Sequence, residues 1–436
     1  MKRITIIGTG YVGLVSGAGI SEFGHHVTCV DIDIDKIDQL KLGKVPIYEP
    51  GLKSLVKQNV TKGRLHFSSD VAEAIKESDV IFIAVGTPQG SNGEANLDAV
   101  EVVAKAIGEN LNEYKIICTK STVPIGTGKK IEEIIQSINP EAEFDYVSNP
   151  EFLREGAAVK DFLHPDRVVL GARTNKAIDI MREVYRPLYI NETPILSTSV
   201  ETAEMIKYAA NAFLALKISY INEIANLCEV VDADVHEVAQ AMGIDGRISP
   251  KFLHPGPGFG GSCFPKDTHA LAATGRKNGS PLPTIEAAIK TNASQKQRMV
   301  SKINNLLNNK LNGKSVAILG LAFKPQTDDV REAASRVIIP QLIDSGVNVR
   351  AYDPIAMGNF KKHYPKIQYY ESWQDAVDGA DACVILTEWN ELRGMDLNEL
   401  KSLMKTPIVL DTKNILSMDK LNSLGFTYDN VGRKKS

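Results

Sequence analysis

The amino-terminal part of the chain alternates short runs of β-branched and aliphatic residues with stretches of helical periodicity. The runs are ITIIG, HVTCVD, VIFIAVGTP, KIICTKSTVP and, further along, RVVLG. Near the other end SVAILGLAF, VNVRAYDP, ACVILTEW and PIVLDTKN follow helical segments in the same way. Strands that alternate with helices are typical of a parallel sheet with helical crossovers. The pattern predicts an α/β protein with two doubly wound, Rossmann-like domains.

A long helical signal separates the two series. Residues from about 199 to 298 lack strand patterning, and VETAEMIKYAANAFLALKISYINEIANLCEVV has the period of a helix. A helix of ~30 residues would span roughly 45 Å, enough to connect two domains and to offer an apolar side to a second subunit. We therefore predict three domains, 1–198, 199–298 and 299–436, with the long central helix in a helical middle domain that forms a homodimer.

Composition narrows the class of protein. At 436 residues, with 43% hydrophobic and 24% charged residues, the chain can form two or three globular domains. A net charge of -3 argues against a broad basic surface for nucleic acid. No apolar run approaches the length that crosses a bilayer, and MKR leads straight into ITIIG without a secretion signal. We expect a cytoplasmic protein that binds neither nucleic acid nor a membrane.

The five cysteines differ in their surroundings. They form no CxxC pair, so neither a disulfide framework nor a metal site is predicted. Cys29, Cys118 and Cys383 lie in apolar strand-like runs and Cys228 in a helical pattern, which favours a core-filling role. Cys263 instead follows the glycine- and proline-rich loop FLHPGPGFGGS and precedes a helical stretch. This difference singles out Cys263 for chemistry.

The loop before Cys263 suits a reactive thiol. Glycines let backbone N–H groups come close to a ligand. A cysteine at a helix start and close to a cation, here Lys266, has surroundings that favour the thiolate. We interpret Cys263 as a nucleophile, and the alternative is a buried inert thiol like the other four.

A glycine motif predicts a dinucleotide site. GTGYVG, with Gly8, Gly10 and Gly13, directly follows a strand and opens a helix. The first glycine permits the tight turn, the second lets the backbone approach a pyrophosphate, and the third lets helix and strand pack closely. Asp31 ends the second strand, where an acid binds the adenosine ribose and would repel a 2′-phosphate. The motif therefore predicts NAD rather than NADP.

Further polar residues are candidates for an active site. Lys207 and Asn211 are four residues apart in the long helical signal, so that an ammonium and a carboxamide share one face and could stabilise an oxyanion. A solvated helix face is the commoner meaning of such a pair. Glu151, in NPEFLREG after a strand, could activate water or could be an acid that stabilises a helix start.

The second series of strands has no comparable fingerprint. SVAILGLAF has a glycine at its strand end but lacks the spaced triplet, so a second dinucleotide is not implied. Lys324 and Arg331 follow this strand, where the carboxyl ends of parallel strands form the usual ligand crevice. Both cations could meet the phosphates of another nucleotide.

These segments together resemble the UDP-glucose/GDP-mannose dehydrogenase family. The resemblance covers nearly the whole chain and rests on segments in the family's order and spacing: GTGYVG, VDID, AVGTP, KSTVP, NPEFLREG, KYAANAFLALKISYINE, DGRISPKFLHPGPGFGGSCFPKD and LAFKPQTDDVRE. It implies NAD-dependent, four-electron oxidation of a nucleotide sugar, for which the motifs favour UDP-glucose. By the same resemblance domain 1–198 would bind NAD, 199–298 would carry the reactive cysteine, and 299–436 would bind the UDP-sugar.

The resemblance also implies a role for each reactive residue. Cys263 would carry the sugar as a thiohemiacetal and then as a thioester, and Glu151 would be the base that hydrolyses the thioester. Lys207 and Asn211 would hold the oxyanion. Asp267 would act with Lys207 on the proton of the first oxidation.

Two sets of binding residues follow from the resemblance. The implied cofactor contacts are Gly8, Gly10, Tyr11, Val12, Gly13, Asp31, Lys36, Thr87, Thr122, Glu155, Lys266 and Arg331. The implied substrate contacts are Glu151, Phe152, Leu153, Lys207, Asn211, Arg247, Phe252, Leu253, His254, Pro255, Gly256, Gly260 and Lys324. Thr122 would also position the reactive water or the nicotinamide, and Arg247 would reach a sugar nucleotide, its own or that of a partner subunit.

One position departs from the family pattern, and two alternatives stay open. Lys413 stands where many relatives have an arginine, so a bidentate phosphate contact would be lost although the charge remains. The same chemistry on GDP-mannose or a UDP-N-acetyl-mannosamine is one alternative. A non-catalytic sensor of NAD or a nucleotide sugar is the other, and it would not need Cys263, Glu151, Lys207 and Asn211 together.

Overall fold

The computed structural model describes residues 1–90 and 93–433. The backbone divides into two compact units, Met1–Ala210 and Asn211–Ser436, which we call the N-terminal and C-terminal units. Each unit contains one sheet flanked by helices. The predicted α/β fold with two doubly wound regions and a helical middle region is confirmed.

The N-terminal unit is built on an eight-stranded sheet in the order β3-β2-β1-β4-β5-β6-β7-β8. The strands are β1 Arg3–Ile7, β2 His26–Val30, β3 Leu65–Ser68, β4 Val80–Ile83, β5 Lys115–Thr119, β6 Phe144–Ser148, β7 Val168–Ala172 and β8 Ile195–Thr198. All neighbours pair in parallel except β6 and β7, which are antiparallel. That one reversal departs from the predicted parallel sheet.

Helices cover both faces of this sheet. They are α1 Tyr11–Glu22, α2 Ile34–Lys41, α3 Leu52–Thr61, α4 Val71–Glu77, α5 Asp98–Asn110, α6 Thr127–Ile138, α7 Ala158–Leu163 and α8 Asn175–Val184. Strand β4 shows why: Val80 and Phe82 pack into one apolar cluster, and Ile81 and Ile83 pack into another. Because successive side chains point to opposite faces, a strand that is apolar throughout must be covered on both sides.

The long helix α9, Val200–Val231, begins in the N-terminal unit and ends in the C-terminal unit. It starts after Ser199, whose hydroxyl accepts the backbone N–H of Thr202 at 3.2 Å. Its bounds coincide with the long helical signal of the sequence. The helices that follow are α10 Val235–Ile244, α11 Phe264–Lys277 and α12 Pro283–Leu306. Residues 199–298 are all described and contain no strand.

The C-terminal unit contains a six-stranded, all-parallel sheet in the order β11-β10-β9-β12-β13-β14. Its strands are β9 Ser315–Leu319, β10 Asn348–Tyr352, β11 Gln368–Tyr369, β12 Ala382–Ile385, β13 Ile408–Asp411 and β14 Thr427–Asn430. Its helices are α13 Ser335–Asp344, α14 Met357–Lys361, α15 Trp373–Val377, α16 Asn390–Arg393, α17 Leu397–Leu403 and α18 Met418–Ser423. The six strands of this sheet thus repeat the order of the first six strands of the N-terminal sheet.

Candidate active site

The glycine motif forms a close strand–turn–helix contact at the end of β1. Gly8 has φ +103°, and a Cβ there would lie 2.7 Å from the Ala84 carbonyl oxygen. A Cβ on Gly13 would lie 1.8 Å from the Gly8 carbonyl oxygen, whereas a Cβ on Gly10 would meet nothing within 4 Å. The first and third glycines are therefore required by packing. The second leaves an open space at the N-terminus of α1, as a pyrophosphate needs.

Asp31 lies beside this turn in the ionised form. Its Oδ2 accepts the Thr9 N–H at 2.9 Å, the Thr9 hydroxyl at 2.6 Å and the Lys36 Nζ at 2.9 Å. Burial would raise the pKa of the Asp31 carboxyl, but the hydrogen bonds from Lys36 and Thr9 outweigh it and lower this pKa to about 2. An ionised acid at this position accepts ribose hydroxyls and repels a 2′-phosphate, so the residues present fit NAD.

Tyr11 connects the glycine motif to the loop after β6. Its hydroxyl donates to Glu49. Burial, and to a smaller extent this hydrogen bond, raises the pKa of Tyr11 well above its usual range. The Glu49 carboxylate also accepts the N–H groups of Gly156 at 2.7 Å and Ala158 at 2.8 Å. Glu155, a predicted cofactor contact, directly precedes these two amides. The Glu49 carboxylate therefore fixes the backbone next to Glu155.

Two more predicted residues lie on the loops after β4 and β5. The Thr87 hydroxyl donates to the Thr122 carbonyl oxygen at 2.8 Å. The structure therefore brings these two residues together at neighbouring strands of the sheet.

Glu151 and Lys207 form a buried ion pair in the N-terminal unit. The Lys207 Nζ donates to the Glu151 carboxylate at 2.9 Å and to the Glu151 carbonyl oxygen at 2.6 Å. The side chains are only 5% and 4% exposed. The other carboxylate oxygen of Glu151 accepts the Leu153 N–H. A carboxylate held this firmly can take a proton from a water in one fixed direction.

Phe152 lies under two cations. The Lys207 Nζ is 5.3 Å from the centre of its ring, and the Arg167 guanidinium is 3.5 Å from it. Such cation–π contacts orient the ring and the cations together. Phe152, Glu151 and Lys207 therefore form one contact cluster in the N-terminal unit.

The buried ammonium group of Lys120 holds the segment next to this cluster. The Lys120 Nζ donates to the Asn149 carboxamide oxygen at 3.0 Å and to the Tyr185 hydroxyl oxygen at 3.1 Å. Burial lowers the pKa of Lys120 to about 8, and the charge of Glu151 opposes this shift. Asn149 precedes Pro150 and Glu151, so the network also fixes the start of the segment that carries the candidate base.

The reactive-cysteine segment lies in the C-terminal unit. Cys263 is the residue immediately before α11 and is half-buried, while the other four cysteines are buried, as predicted. Asp267, one turn into α11, is fully buried. Its carboxylate accepts the Asn211 Nδ2 at 2.6 Å and the Lys266 Nζ at 2.6 Å. The structure thus binds Lys207 to the Glu151 carboxylate and Asn211 to the Asp267 carboxylate.

Six predicted substrate residues lie on the loop between α10 and α11: Phe252, Leu253, His254, Pro255, Gly256 and Gly260. A Cβ on Gly260 would lie 2.4 Å from the Glu332 carbonyl oxygen, and the Gly261 N–H donates to the Arg331 carbonyl oxygen at 2.8 Å. This loop therefore packs directly on the segment that carries a predicted cofactor residue.

The remaining predicted cations have surface partners or flank the second sheet. Arg247 pairs with Asp245 at 2.6 Å and is 89% exposed. The Arg331 guanidinium donates two hydrogen bonds to Asp329, at 2.9 and 2.8 Å. The Lys324 Nζ, in the loop after β9, is 5.5 Å from the ring centre of Phe323.

Lys413 follows β13 and pairs with Glu388 at 2.9 Å. A Cβ on Gly256 would lie 3.5 Å from the Lys413 Nζ. The position that departs from the family pattern therefore borders the predicted substrate loop.

Sequence reasoning missed several residues of these networks. Lys120 and Asn149 belong to the motifs KSTVP and NPEFLREG, so their place in the motifs was visible, but their buried contact was not. Tyr185 and Glu49 lie in segments without any such signal, because their partners are far away in sequence.

The described residues contain neither a metal-binding cluster nor a membrane-spanning helix. Within residues 1–90 and 93–433, no three His, Cys, Asp or Glu side chains are grouped so that they could hold a metal ion. In the same part of the chain, no helix is both long and apolar enough to span a bilayer.

Comparison with known proteins identifies the family. Three models of the UDP-glucose/GDP-mannose dehydrogenase family match the chain: the NAD binding domain at residues 2–189, the central domain at 201–294 and the UDP binding domain at 317–418.

Full-length relatives agree with these models. UDP-glucose 6-dehydrogenase of Rhizobium meliloti is 49% identical over 99% of this chain and 99% of its own length. UDP-glucose 6-dehydrogenase TuaD of Bacillus subtilis is 49% identical over 99% of this chain and 94% of its own length. A solved UDP-glucose dehydrogenase from Pyrobaculum islandicum superimposes with a TM-score of 0.93 at 34% identity, and the match covers 99% of this chain and 98% of that one. The glycine cradle, the ionised Asp31 and these full-length matches together place the chain in the UDP-glucose/GDP-mannose dehydrogenase family, as an oxidoreductase that uses NAD.

Proposed function

We propose that this protein oxidises UDP-glucose to UDP-glucuronate in two NAD-dependent steps through a covalent intermediate on Cys263. The observation that carries the proposal is the setting of Cys263, the one half-buried cysteine of the chain, at the start of α11 after a glycine-rich loop. A helix N-terminus favours the thiolate. The full-length relatives are UDP-glucose 6-dehydrogenases, which supports the choice of UDP-glucose.

NAD, when bound, accepts a hydride from the sugar C6 in each oxidation. In the first step Asp267, acting with Lys207, takes the proton of the C6 hydroxyl through water, and the product is an aldehyde. The Cys263 sulfur then bonds to C6, and the aldehyde oxygen becomes the hydroxyl of a thiohemiacetal. Because the sugar stays covalently attached, free aldehyde is not released.

In the second oxidation the hydride leaves C6, the hydroxyl proton passes to water, and a thioester remains. Water adds to its carbonyl carbon, and Glu151 takes the water proton while Lys207 and Asn211 donate to the oxyanion. The carbon–sulfur bond then breaks and returns the Cys263 thiol with the uronate. The buried Lys207–Glu151 contact supports this assignment because it fixes the direction of the carboxylate.

The test is the stoichiometry of NADH formed per UDP-glucose consumed. Two NADH per UDP-glucose would support four-electron chemistry on this substrate, and GDP-mannose and UDP-N-acetyl-mannosamine should give far slower turnover. A preference for either of those sugars would move the substrate and keep the mechanism. Bound NAD without NADH from any of the three would instead favour the sensor alternative.

The covalent step has its own test. Cys263→Ser should abolish net formation of the uronate, because an alkoxide is a poorer nucleophile and leaving group than a thiolate. The matched control is Cys228→Ser, the same change at a buried thiol on α9, which should keep the two-to-one ratio. Full turnover by the Cys263 variant would exclude the covalent mechanism.

We also propose a homodimer formed through α9. Phe213, Tyr220 and Leu227 recur every seven residues and are 60%, 44% and 55% exposed, which leaves an apolar stripe on one helix face. A single monomer species in analytical ultracentrifugation at micromolar concentration would contradict this assembly. The three-domain division at 198 and 298 stays a prediction. A cytoplasmic location stays a proposal, supported by the need to keep Cys263 reduced.

A further inference from the structure

We propose that the carboxamides of Asn222, Asn292 and Gln295 are positioning residues that hold the loop 252–261, here called the substrate loop, in its binding conformation before a substrate arrives. The inference rests on the proposed function, in which this loop contacts the sugar nucleotide. All three side chains lie in the C-terminal unit, on α9 and α12, and each is buried.

Both polar groups of the Gly256 peptide backbone are bound by buried side chains. The Gly256 N–H donates to the Asn222 Oδ1 at 2.8 Å, and its carbonyl oxygen accepts the Gln295 Nε2 at 2.9 Å. Asn222 and Gln295 are 0% and 1% exposed. Water cannot readily replace either partner at such depth, so each hydrogen bond specifies the position of this glycine.

Asn292 binds the loop three residues further on in the same manner. Its Oδ1 accepts the Phe259 N–H at 2.7 Å, and its Nδ2 donates to the Phe259 carbonyl oxygen at 3.0 Å. A Cβ on Gly258 would lie 2.8 Å from the Asn292 Oδ1. The carboxamide therefore lies flat against the loop backbone and replaces the pairing that a neighbouring strand would give.

The spacing of these residues explains how two helices reach one loop. Asn292, Gln295 and Lys296 are three and four residues apart, so they share one face of α12. On α9, Asn226 is four residues after Asn222, and its Nδ2 donates to the Gln295 Oε1 at 2.9 Å. That contact fixes which end of the Gln295 carboxamide faces the loop.

The same face of α12 also binds the segment behind the loop. The Lys296 Nζ donates to the Glu332 carbonyl oxygen at 2.8 Å. Glu332 has φ +52° although it is not glycine, and its carbonyl oxygen lies against Gly260. One face of α12 thus positions both the substrate loop and the segment around Glu332 on which the loop packs.

The loop needs such support because its backbone is irregular. Phe252, Gly258 and Gly261 have φ of +65°, +106° and +81°, and no helix or strand lies between residues 252 and 261. Ordering a free backbone costs conformational entropy, which binding would otherwise have to offset. A loop ordered in advance leaves the binding energy of the substrate available for the reaction.

The test compares two isosteric changes on α12. Gln295→Glu replaces the donor to Gly256 with an oxygen that repels its carbonyl, while Gln297→Glu makes the same change on the exposed face and is the control. We expect Gln295→Glu to raise the KM for UDP-glucose roughly tenfold or more, with little change in the KM for NAD. Amide hydrogen exchange in 252–261 should become faster in this variant alone.

A second variant keeps the proposal testable if Gln295→Glu does not fold. Asn226→Asp removes the donor that orients Gln295 without touching the loop, and it should change both readouts in the same direction by a smaller factor. Wild-type exchange and an unchanged KM for UDP-glucose in a folded variant would overturn the positioning role. Equal rises in the KM for NAD and UDP-glucose would also overturn it, because they indicate general loosening. If the wild-type protein does not oxidise UDP-glucose, the proposed function fails, while the exchange measurement still decides whether these carboxamides order the loop.

Discussion

The two sheets share a strand order and a turn but use the acid after their second strand in opposite ways. In each sheet the first strand ends in a glycine of positive φ, +103° at Gly8 and +97° at Gly320. In each, an aspartate follows the adjacent strand, Asp31 after β2 and Asp353 after β10. The backbone framework of a dinucleotide site is therefore present twice.

The hydrogen bonds of the two aspartates differ. The Asp31 side chain is 12% exposed and has its contacts with Thr9, Lys36 and Asp33 at the rim of the crevice. Asp353 is 0% exposed, and all its lone-pair directions are occupied within the unit. Its donors are the backbone N–H groups of Leu321, Ala322, Ile355 and Ala356 and the indole of Trp389.

The comparison shows that the same acid position can stay partly exposed beside a crevice or be buried to hold a loop. Asp353 is fully buried with five internal donors and cannot reach a ribose, so a nucleotide in the second crevice must be bound through other groups. This agrees with the sequence, in which SVAILGLAF lacks the spaced glycines. A fold alone therefore does not assign a ligand to a crevice.

The largest expected effect is that of Asp353→Ala. The change would leave five donors, four of them buried, without their acceptor, and we expect the free energy of unfolding to fall by about 3 kcal/mol or more. Chemical denaturation would measure it. Unchanged stability would show that the Asp353 contacts are not the framework of this crevice.

The matched pair Gly8→Ala and Gly320→Ala tests the part that the two sheets share. Each change puts a Cβ in a positive-φ position and within 2.7 Å and 2.5 Å of neighbouring atoms, respectively. Both variants should lose about 2 kcal/mol of stability, read as a fall in the thermal unfolding temperature. Gly358→Ala, at a site with nothing within 4 Å, is the control and should lose none. A loss at only one of the two turns would break the comparison.

Asp31→Ala should separate binding from stability. Removal of the acid takes away a charged acceptor for ribose, and we expect the KM for NAD to rise roughly tenfold. The thermal unfolding temperature should fall less than in Asp353→Ala, because Asp31 is partly exposed and water can replace part of its contacts, and the KM for UDP-glucose should change little. Use of NADP should improve relative to NAD, since the repulsion of a 2′-phosphate is gone. A loss of stability as large as that of Asp353→Ala would contradict the assignment.

The smallest expected effect concerns buried ammonium groups, for which the two units again differ. Lys302 in the C-terminal unit pairs with Glu229 and Asp429, whereas Lys120 donates to the neutral Asn149 and Tyr185. Burial lowers the pKa of Lys120 from 10.5 to about 8, so between these values the unfolded chain binds one more proton than the folded one. Folding stability from this group is therefore present above the unfolded pKa and is lost as the pH falls through about 8.

Lys120→Met removes that dependence. The difference in free energy of unfolding, wild type minus variant, should rise by up to about 1 kcal/mol per pH unit from pH 8 towards pH 10. Denaturation curves at three pH values in this range would measure it. A difference that stays flat would show that Lys120 keeps its ordinary affinity for protons.

Much of the fold could be predicted from the sequence, because its signals are local. Alternating and continuous apolar runs gave the central strands of both sheets, and the helical period gave α9 with its bounds. The short edge strands β3, β8, β11 and β14 were not predicted, since edge strands are brief and partly polar. Strand β7 runs antiparallel to β6 but has an apolar run like the central parallel strands, and an apolar run does not indicate the direction of a strand.

The sequence by itself determined what depends on near neighbours: the glycine turn at Gly8, the acid at Asp31 and the placement of Cys263 before a helix. The tertiary structure decided the partners. Lys207 and Asn211, four residues apart, bind Glu151 and Asp267, each 56 residues away along the chain. A hydrogen bond requires atoms within about 3 Å, and only the packing of elements distant in sequence sets such separations.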